Sequence, residues 1–94
     1  MSSGAIEAVD RILNRGEPDA LAQVVAALHE RGFAWIAVLR RDGSVAAAAG
    51  ERPPVTLQTP IVHRGRRVGE IEVAADEADR PLLERVALLV SALV

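Results

Sequence analysis

Residues Pro60 to Val73 read PIVHRGRRVGEIEV. Two apolar runs flank a turn at Arg64-Gly65 or Gly65-Arg66, which predicts a β-hairpin. Its second strand alternates acid with aliphatic: Glu70, Ile71, Glu72, Val73. Both turn placements give the same parity, so the faces follow without choosing between them. Thr59, Ile61, His63, Val68, Glu70 and Glu72 are expected on one face. Gln58, Pro60, Val62, Gly69, Ile71 and Val73 are expected on the other. Ile71, Val73 and Val62 belong to the core, and the carboxylates therefore point away from it, into water.

Upstream, Phe33 to Leu39 (FAWIAVL) is apolar and leads into Arg40-Arg41-Asp42-Gly43-Ser44. Asp-Gly suits a two-residue hairpin turn, because both central positions need positive φ. That turn pairs Leu39 with Ala46 and Ala37 with Ala48. Trp35, Ala37, Leu39, Ala46 and Ala48 then share one face, with Ile36, Val38, Val45, Ala47 and Ala49 opposite. The run AAAA has weak strand propensity, yet the turn before it and Gly50 after it favour a strand. A short polar connector, Glu51-Arg52-Pro53-Pro54, links the two hairpins.

Helices occupy both ends. Ala5, Ile6, Val9, Ile12 and Leu13 recur at helical spacing and stop at Asn14-Arg15-Gly16. A second helix starts near Pro18 and Asp19, carries Leu21, Val24, Val25 and Leu28 on one stripe, and ends at Gly32. A last helix follows Asp79, read as its cap, with Pro81 in the first turn. Leu82, Leu83, Val86, Leu89, Val90 and Leu93 cover one broad side of it. The expected fold class is α+β: a four-stranded antiparallel sheet in order 2-1-4-3, with the N- and C-terminal helices packed on one face.

The chain has 94 residues, no cysteine and a net charge of −2. That length suits a single domain spanning 1–94. Without thiols there is neither disulfide nor thiolate chemistry, which fits a reducing compartment. The charge offers no reason to expect nucleic acid or an anionic membrane, and Phe33 and Trp35 alone cannot build a stacking platform. No signal peptide is visible, and the apolar run VALLVSALV is too short to span a bilayer. A soluble, cytoplasmic protein is the expectation.

The succession helix, helix, hairpin, crossing connector, hairpin, helix resembles a GAF domain, the ligand-sensing relative of PAS and profilin-like modules. The likeness covers nearly the whole chain. It is carried by Pro60-Ile61 opening a strand, Gly65 in the turn, Val68-Gly69 before Ile71 and Val73, then Asp79 and Leu82-Leu83. Trp35 to Leu39, Asp42-Gly43 and Gly50 resemble the first hairpin of that family. The chain departs from it in two ways. Family members usually insert helix and loop between the hairpins as a roof over the pocket, whereas only Gly50 to Thr59 join them here. The cysteines of the bilin-binding and methionine-sulfoxide-reducing branches are missing, which excludes both chemistries.

Within that resemblance, Glu72 falls three positions after Gly69, where the sulfoxide-reducing branch has an acid that holds a ligand's ammonium. Trp35 resembles that branch's pocket-wall tryptophan. Trp35, Leu39 and Glu72, with His63 and Glu70 beside them, are thus candidates for a remnant pocket for a small amino or cationic ligand. The simpler reading is that an uncovered sheet face is wetted by its carboxylates.

No cofactor is expected, and no metal: the spacing of His63, Glu70 and Glu72 is only what strand alternation gives any polar side chains, and His29 sits on a distant helix end. No catalytic residue is assigned, because Glu70 and Glu72 are alike and acid–base catalysis needs two groups in different environments. Arg64, Arg66 and Arg67, with Arg40 and Arg41 on the other hairpin, form a basic knuckle, read as a solvated turn that discourages strand pairing. The terminal helices hold more aliphatic surface than one sheet hides, and GAF domains commonly pair through such helices. The resemblance therefore implies a homodimer through Ile6, Val9, Leu13, Val86, Val90 and Leu93, and a non-catalytic sensory or dimerisation module. The alternative is a protein-docking platform of roadblock type, whose helix and Asp-Gly hairpin look alike.

Overall fold

The computed structural model describes residues 2–94. Helices α1 (Ser2–Arg15) and α2 (Ala20–Glu30) precede strands β1 (Trp35–Arg40), β2 (Val45–Gly50), β3 (Leu57–His63) and β4 (Arg66–Val73). Helix α3 (Arg80–Val90) closes the chain between two 3-10 turns, Glu77–Asp79 and Ser91–Leu93. The strands form one antiparallel sheet in the order β2-β1-β4-β3, as the sequence predicts. Two hairpins lie side by side, and β1 and β4 are the inner pair.

All the helices share one core with one face of the sheet. Helix α2 lies on β1 and β2, α3 lies on β3, and α1 crosses α2 and α3 as an outer layer. Val24, Leu28, Ile36, Val38, Ile61, Ile71, Val73, Leu83 and Val90 are buried together between them. Each such side chain contributes about 1.5–3 kcal/mol on leaving water, which explains how a chain without disulfides holds a core.

The second hairpin departs from the expected register by one residue along its length, whereas the first keeps the expected pairing of Ala37 with Ala48 and departs only at its turn end. In the second, Arg64 and Gly65 have φ of 53° and 76°, as a two-residue type I′ turn requires. His63 then faces Arg66 and Val62 faces Arg67, but Ile61 faces Gly69, so Val68 is an extra residue in a β-bulge. The bulge inverts the parity of β3 against β4. Leu57, Thr59, Ile61 and His63 join Ile71 and Val73 on the helix side, while Gln58, Pro60 and Val62 join Glu70 and Glu72 on the opposite face. Ile61 is buried and Val62 is exposed, the reverse of the sequence expectation. The physical reason is the core: the bulged register exchanges Gln58 and Pro60 for Leu57 and Ile61 there.

In the first hairpin the turn is longer than predicted. The Gly43 N–H donates to the Arg40 carbonyl at 2.9 Å and the Arg40 N–H to the Ser44 carbonyl at 2.8 Å. Gly43 alone has positive φ, at 89°, which makes a type I turn with a glycine bulge rather than type I′. Asp42 accepts from the Ser44 hydroxyl and N–H, and those bonds hold its carboxyl below the usual carboxylate range. Leu39 consequently pairs with Val45, not Ala46. Val45 turns to the open face, and Ala46, Ala47 and Ala49 pack toward the helices.

Asp79 precedes α3 as expected, but its side chain caps nothing. The turn before α3 is held instead by Arg80, which donates to Glu77 at 2.7 and 2.9 Å and to the Gln58 carbonyl at 3.1 Å. His29, at the end of α2, lies 2.8 Å from the Phe33 carbonyl oxygen through Nδ1 and ties the helix to the approach of β1.

Candidate functional site

The face of the sheet turned away from the helices carries Trp35, Ala37 and Leu39 from β1, Glu70 and Glu72 from β4, Gln58, Pro60 and Val62 from β3, and Val45 from β2. Glu72 lies between Ala37 and Gln58 in the ladder. It points away from the core, as predicted, but it is not in water: only 4% of it is exposed. This corrects the reading of a wetted carboxylate face.

Three donors cover the Glu72 carboxylate. Arg52 of the connector donates from Nε to Oε1 at 2.6 Å and from Nη2 to Oε2 at 3.2 Å. Gln58 Nε2 donates to Oε2 at 3.1 Å, and the Trp35 indole N–H to Oε1 at 3.2 Å. The Arg52 guanidinium is the main cause of a Glu72 pKa lowered to about 2, with Gln58 and Trp35 adding to it against the opposing effect of burial. Glu72 in turn raises the Arg52 pKa. Every acceptor position facing the connector is in use.

The other candidates are split between the two faces. Trp35 and Leu39 are half-buried on the face that holds Glu72. Glu70 is on that face too, paired with Arg67 at 2.8 Å. His63 is not: the bulge sends it to the helix side, where Nδ1 stands 3.4 Å from the Ser91 hydroxyl. Trp35 and Glu72 meet directly, and His63 does not join them. Among the described residues, no three His, Cys, Asp or Glu side chains converge in a way that suits a metal ion.

The residues expected to form a helical dimer interface are mostly spent inside the chain. Val9, Val86 and Val90 are buried in the core, and Ile6 and Leu13 are partly buried against it. Only Leu93 offers an exposed aliphatic surface of its own. The reason is that α1 lies over α2 and α3 and so covers the stripes that were expected to face a second copy.

Arg52 and Gln58 are the partners of Glu72 that sequence reasoning missed. Gln58 was findable, because it stands opposite Glu72 once the bulge is placed. No local pattern marks Arg52; its reach depends on where the connector crosses the end of the sheet.

The described residues include two clefts of about 510 Å³ each. One lies at the connector end of the sheet, among Arg31, Phe33, Val55, Asp76, Asp79 and Leu82. The other lies at the hairpin-turn end and is lined by Arg41, Arg66 and Arg67. Among the described residues no helix is long and apolar enough to cross a membrane. Compared with family models, curated proteins and solved structures, the chain matches none. The likeness to GAF domains therefore rests on the order of the motifs in the sequence.

Proposed function

We propose that this chain is a non-catalytic, GAF-like regulatory module that works by self-association, and that its contact surface is the bare face of the sheet rather than the terminal helices. One observation carries the reading: Val45 and Val62, 53% and 45% exposed, stand on the two outer strands of a face that no helix covers, with half-buried Trp35 and Leu39 on β1 and the Glu70–Arg67 pair between Leu39 and Val62. A solvated face of an antiparallel sheet is normally polar. Exposed aliphatic side chains gathered on such a face, around charges that are already paired, mark a surface that is covered in the working state.

A second copy suits this patch. Its charges are already paired within the chain, Glu72 with Arg52 and Glu70 with Arg67, so two copies meet without like-charge repulsion. An isologous dimer needs only one patch that complements itself. Full engagement of Glu72 also argues against a receptor for an amino ligand at that carboxylate, since such a ligand would have to displace a bidentate guanidinium.

Light scattering after size exclusion tests the reading. The natural chain is expected to elute as a dimer at tens of micromolar, and Val62→Glu as a monomer with unchanged helicity. A natural chain that stays monomeric removes self-association and leaves docking of a different protein. A Val62→Glu variant that still dimerises moves the contact elsewhere.

A further inference from the structure

Five of the chain's eleven basic residues lie at the tips of the two hairpins: Arg40, Arg41, Arg64, Arg66 and Arg67. The register brings them to one end of the sheet. Arg40 faces Gly69 across the inner pair of strands, so Arg41 on β1's turn comes level with the start of β4. Arg41, Arg66 and Arg67 together line a cleft of about 510 Å³. Among the described residues no acidic, aromatic or aliphatic side chain contributes to that lining.

Two of the three charges that line this cleft, those of Arg41 and Arg66, are not neutralised by the fold among the described residues. Arg40 is turned back on its own hairpin and donates to the Val45 carbonyl at 3.0 Å. Arg67 pairs with Glu70. Arg41, Arg64 and Arg66 have no carboxylate partner among the described residues, and the nearby Asp42 accepts from Ser44 instead. Like charges held around one concavity repel, at a cost that falls when an anion enters. In a chain whose net charge is −2, this local excess is not a consequence of overall composition. Lysine is absent throughout, so the choice of arginine says little alone; the unpaired Arg41 and Arg66 lining one space beside Arg67 say more.

We infer that the arginine-lined cleft between the hairpin turns binds a compact, multiply charged phosphate anion. Guanidinium groups take phosphate oxygens through paired N–H donors, which a single anion with several phosphoryl groups can satisfy at more than one arginine. The space exceeds what one phosphate fills and suits a chain of two or three. With no aromatic or apolar wall to grip a base or sugar, an inorganic oligophosphate and the phosphate tail of a nucleotide are expected to bind alike. Both turns are tight and hydrogen-bonded, so the forks are held on rigid supports rather than on a long loop.

Isothermal titration of the full chain with inorganic phosphate, pyrophosphate, tripolyphosphate and ATP tests this at about 50 and about 300 mM NaCl. Saturable one-to-one binding is expected, stronger from phosphate to tripolyphosphate, weaker in the higher salt, and equal for tripolyphosphate and ATP. Arg41→Ala with Arg66→Ala should lower tripolyphosphate affinity by at least about tenfold. Arg11→Ala, on the exposed side of α1, should leave it unchanged. Among the described residues neither Arg41 nor Arg66 makes a side-chain bond, so thermal melts of the double variant should match the natural chain; Arg41→Gln with Arg66→Gln serves if they do not. Failure to saturate with tripolyphosphate, or equal affinity in the double variant, overturns the proposal. So does binding confined to long oligonucleotides with affinity that grows with length, since that is the signature of a diffuse field and not of a cleft.

Discussion

Arg52 and Glu72 join the connector to the inner strand β4 through two hydrogen bonds, of 2.6 and 3.2 Å. A polar segment thereby becomes part of the sheet's open face, and a carboxylate that strand alternation would leave in water is enclosed. Arg52→Ala removes this bridge while Trp35 and Gln58 still donate to Glu72. The guanidinium side chain is 61% exposed, so solvent screens the pair and the loss is well below that of a dry ion pair. Urea unfolding is expected to show a lower midpoint for Arg52→Ala than for the natural chain, with Arg52→Lys intermediate because it keeps the charge without the fork. A change close to zero would mean that Trp35 and Gln58 hold the carboxylate by themselves.

The same carboxylate sets an acid limb. Its folded pKa of about 2 lies below the 4.5 of a free glutamate, so the unfolded chain takes up the proton first. The stabilisation is therefore fully present above about pH 4.5 and declines as pH falls toward 2. The full linkage for such a shift is about 3 kcal/mol, and the exposed guanidinium reduces the expected contribution to about 1–2 kcal/mol. Unfolding free energy measured from pH 6 to pH 2 should fall more steeply for the natural chain than for Glu72→Gln. Parallel curves would show that Glu72 titrates as an ordinary exposed acid.

The element order, the sheet order and the inward Ile71 and Val73 were legible because each rests on a pattern longer than one turn. The faces of β3 were not, although the residues contain the answer. An unbulged hairpin puts Gln58 and Pro60 inside with Val62, whereas one extra residue at Val68 puts Leu57 and Ile61 there. Parity counted from the turn conserves a register error along the whole strand. Burial counted along β3 corrects it. The position of Arg52 depends on the path of a connector with no periodicity, and that path is fixed only by tertiary contact. The burial of Val9, Val86 and Val90 within the chain was hidden for a related reason: apolar stripes reveal that a helix is covered, but not whether the cover comes from its own chain.

The bulge has one unfavourable consequence. It turns Thr59 inward, opposite Ile71, and its hydroxyl is buried without a hydrogen-bond partner among the described residues. A valine of nearly the same shape removes the unsatisfied group and adds apolar contact. Thr59→Val is expected to stabilise the domain by about 1 kcal/mol, raising Tm by roughly 4–8 °C for a domain of this size. An unchanged or lowered Tm would show that the hydroxyl finds a partner in solution.

Two glycines make opposite predictions for one substitution. Gly69 stands opposite Arg40 on β1 and Ile61 on β3. A Cβ added there would overlap the Leu39 carbonyl oxygen, a backbone atom that no change of rotamer can move, and would crowd Val94. The β1–β4 ladder must then open where both hairpins meet. A domain of this length has roughly 5–14 kcal/mol in total, and Gly69→Ala is expected to remove about 3 kcal/mol or more. At Gly4, on the exposed side of α1, the added methyl meets nothing within 4 Å. The smaller backbone entropy of alanine should dominate there, so Gly4→Ala is expected to gain about 0.5–1 kcal/mol. Chemical denaturation of the two variants beside the natural chain checks both signs at once. Equal effects would mean that the close approach of β1 to β4 relaxes without cost, and that the sheet is looser at its centre than its register implies.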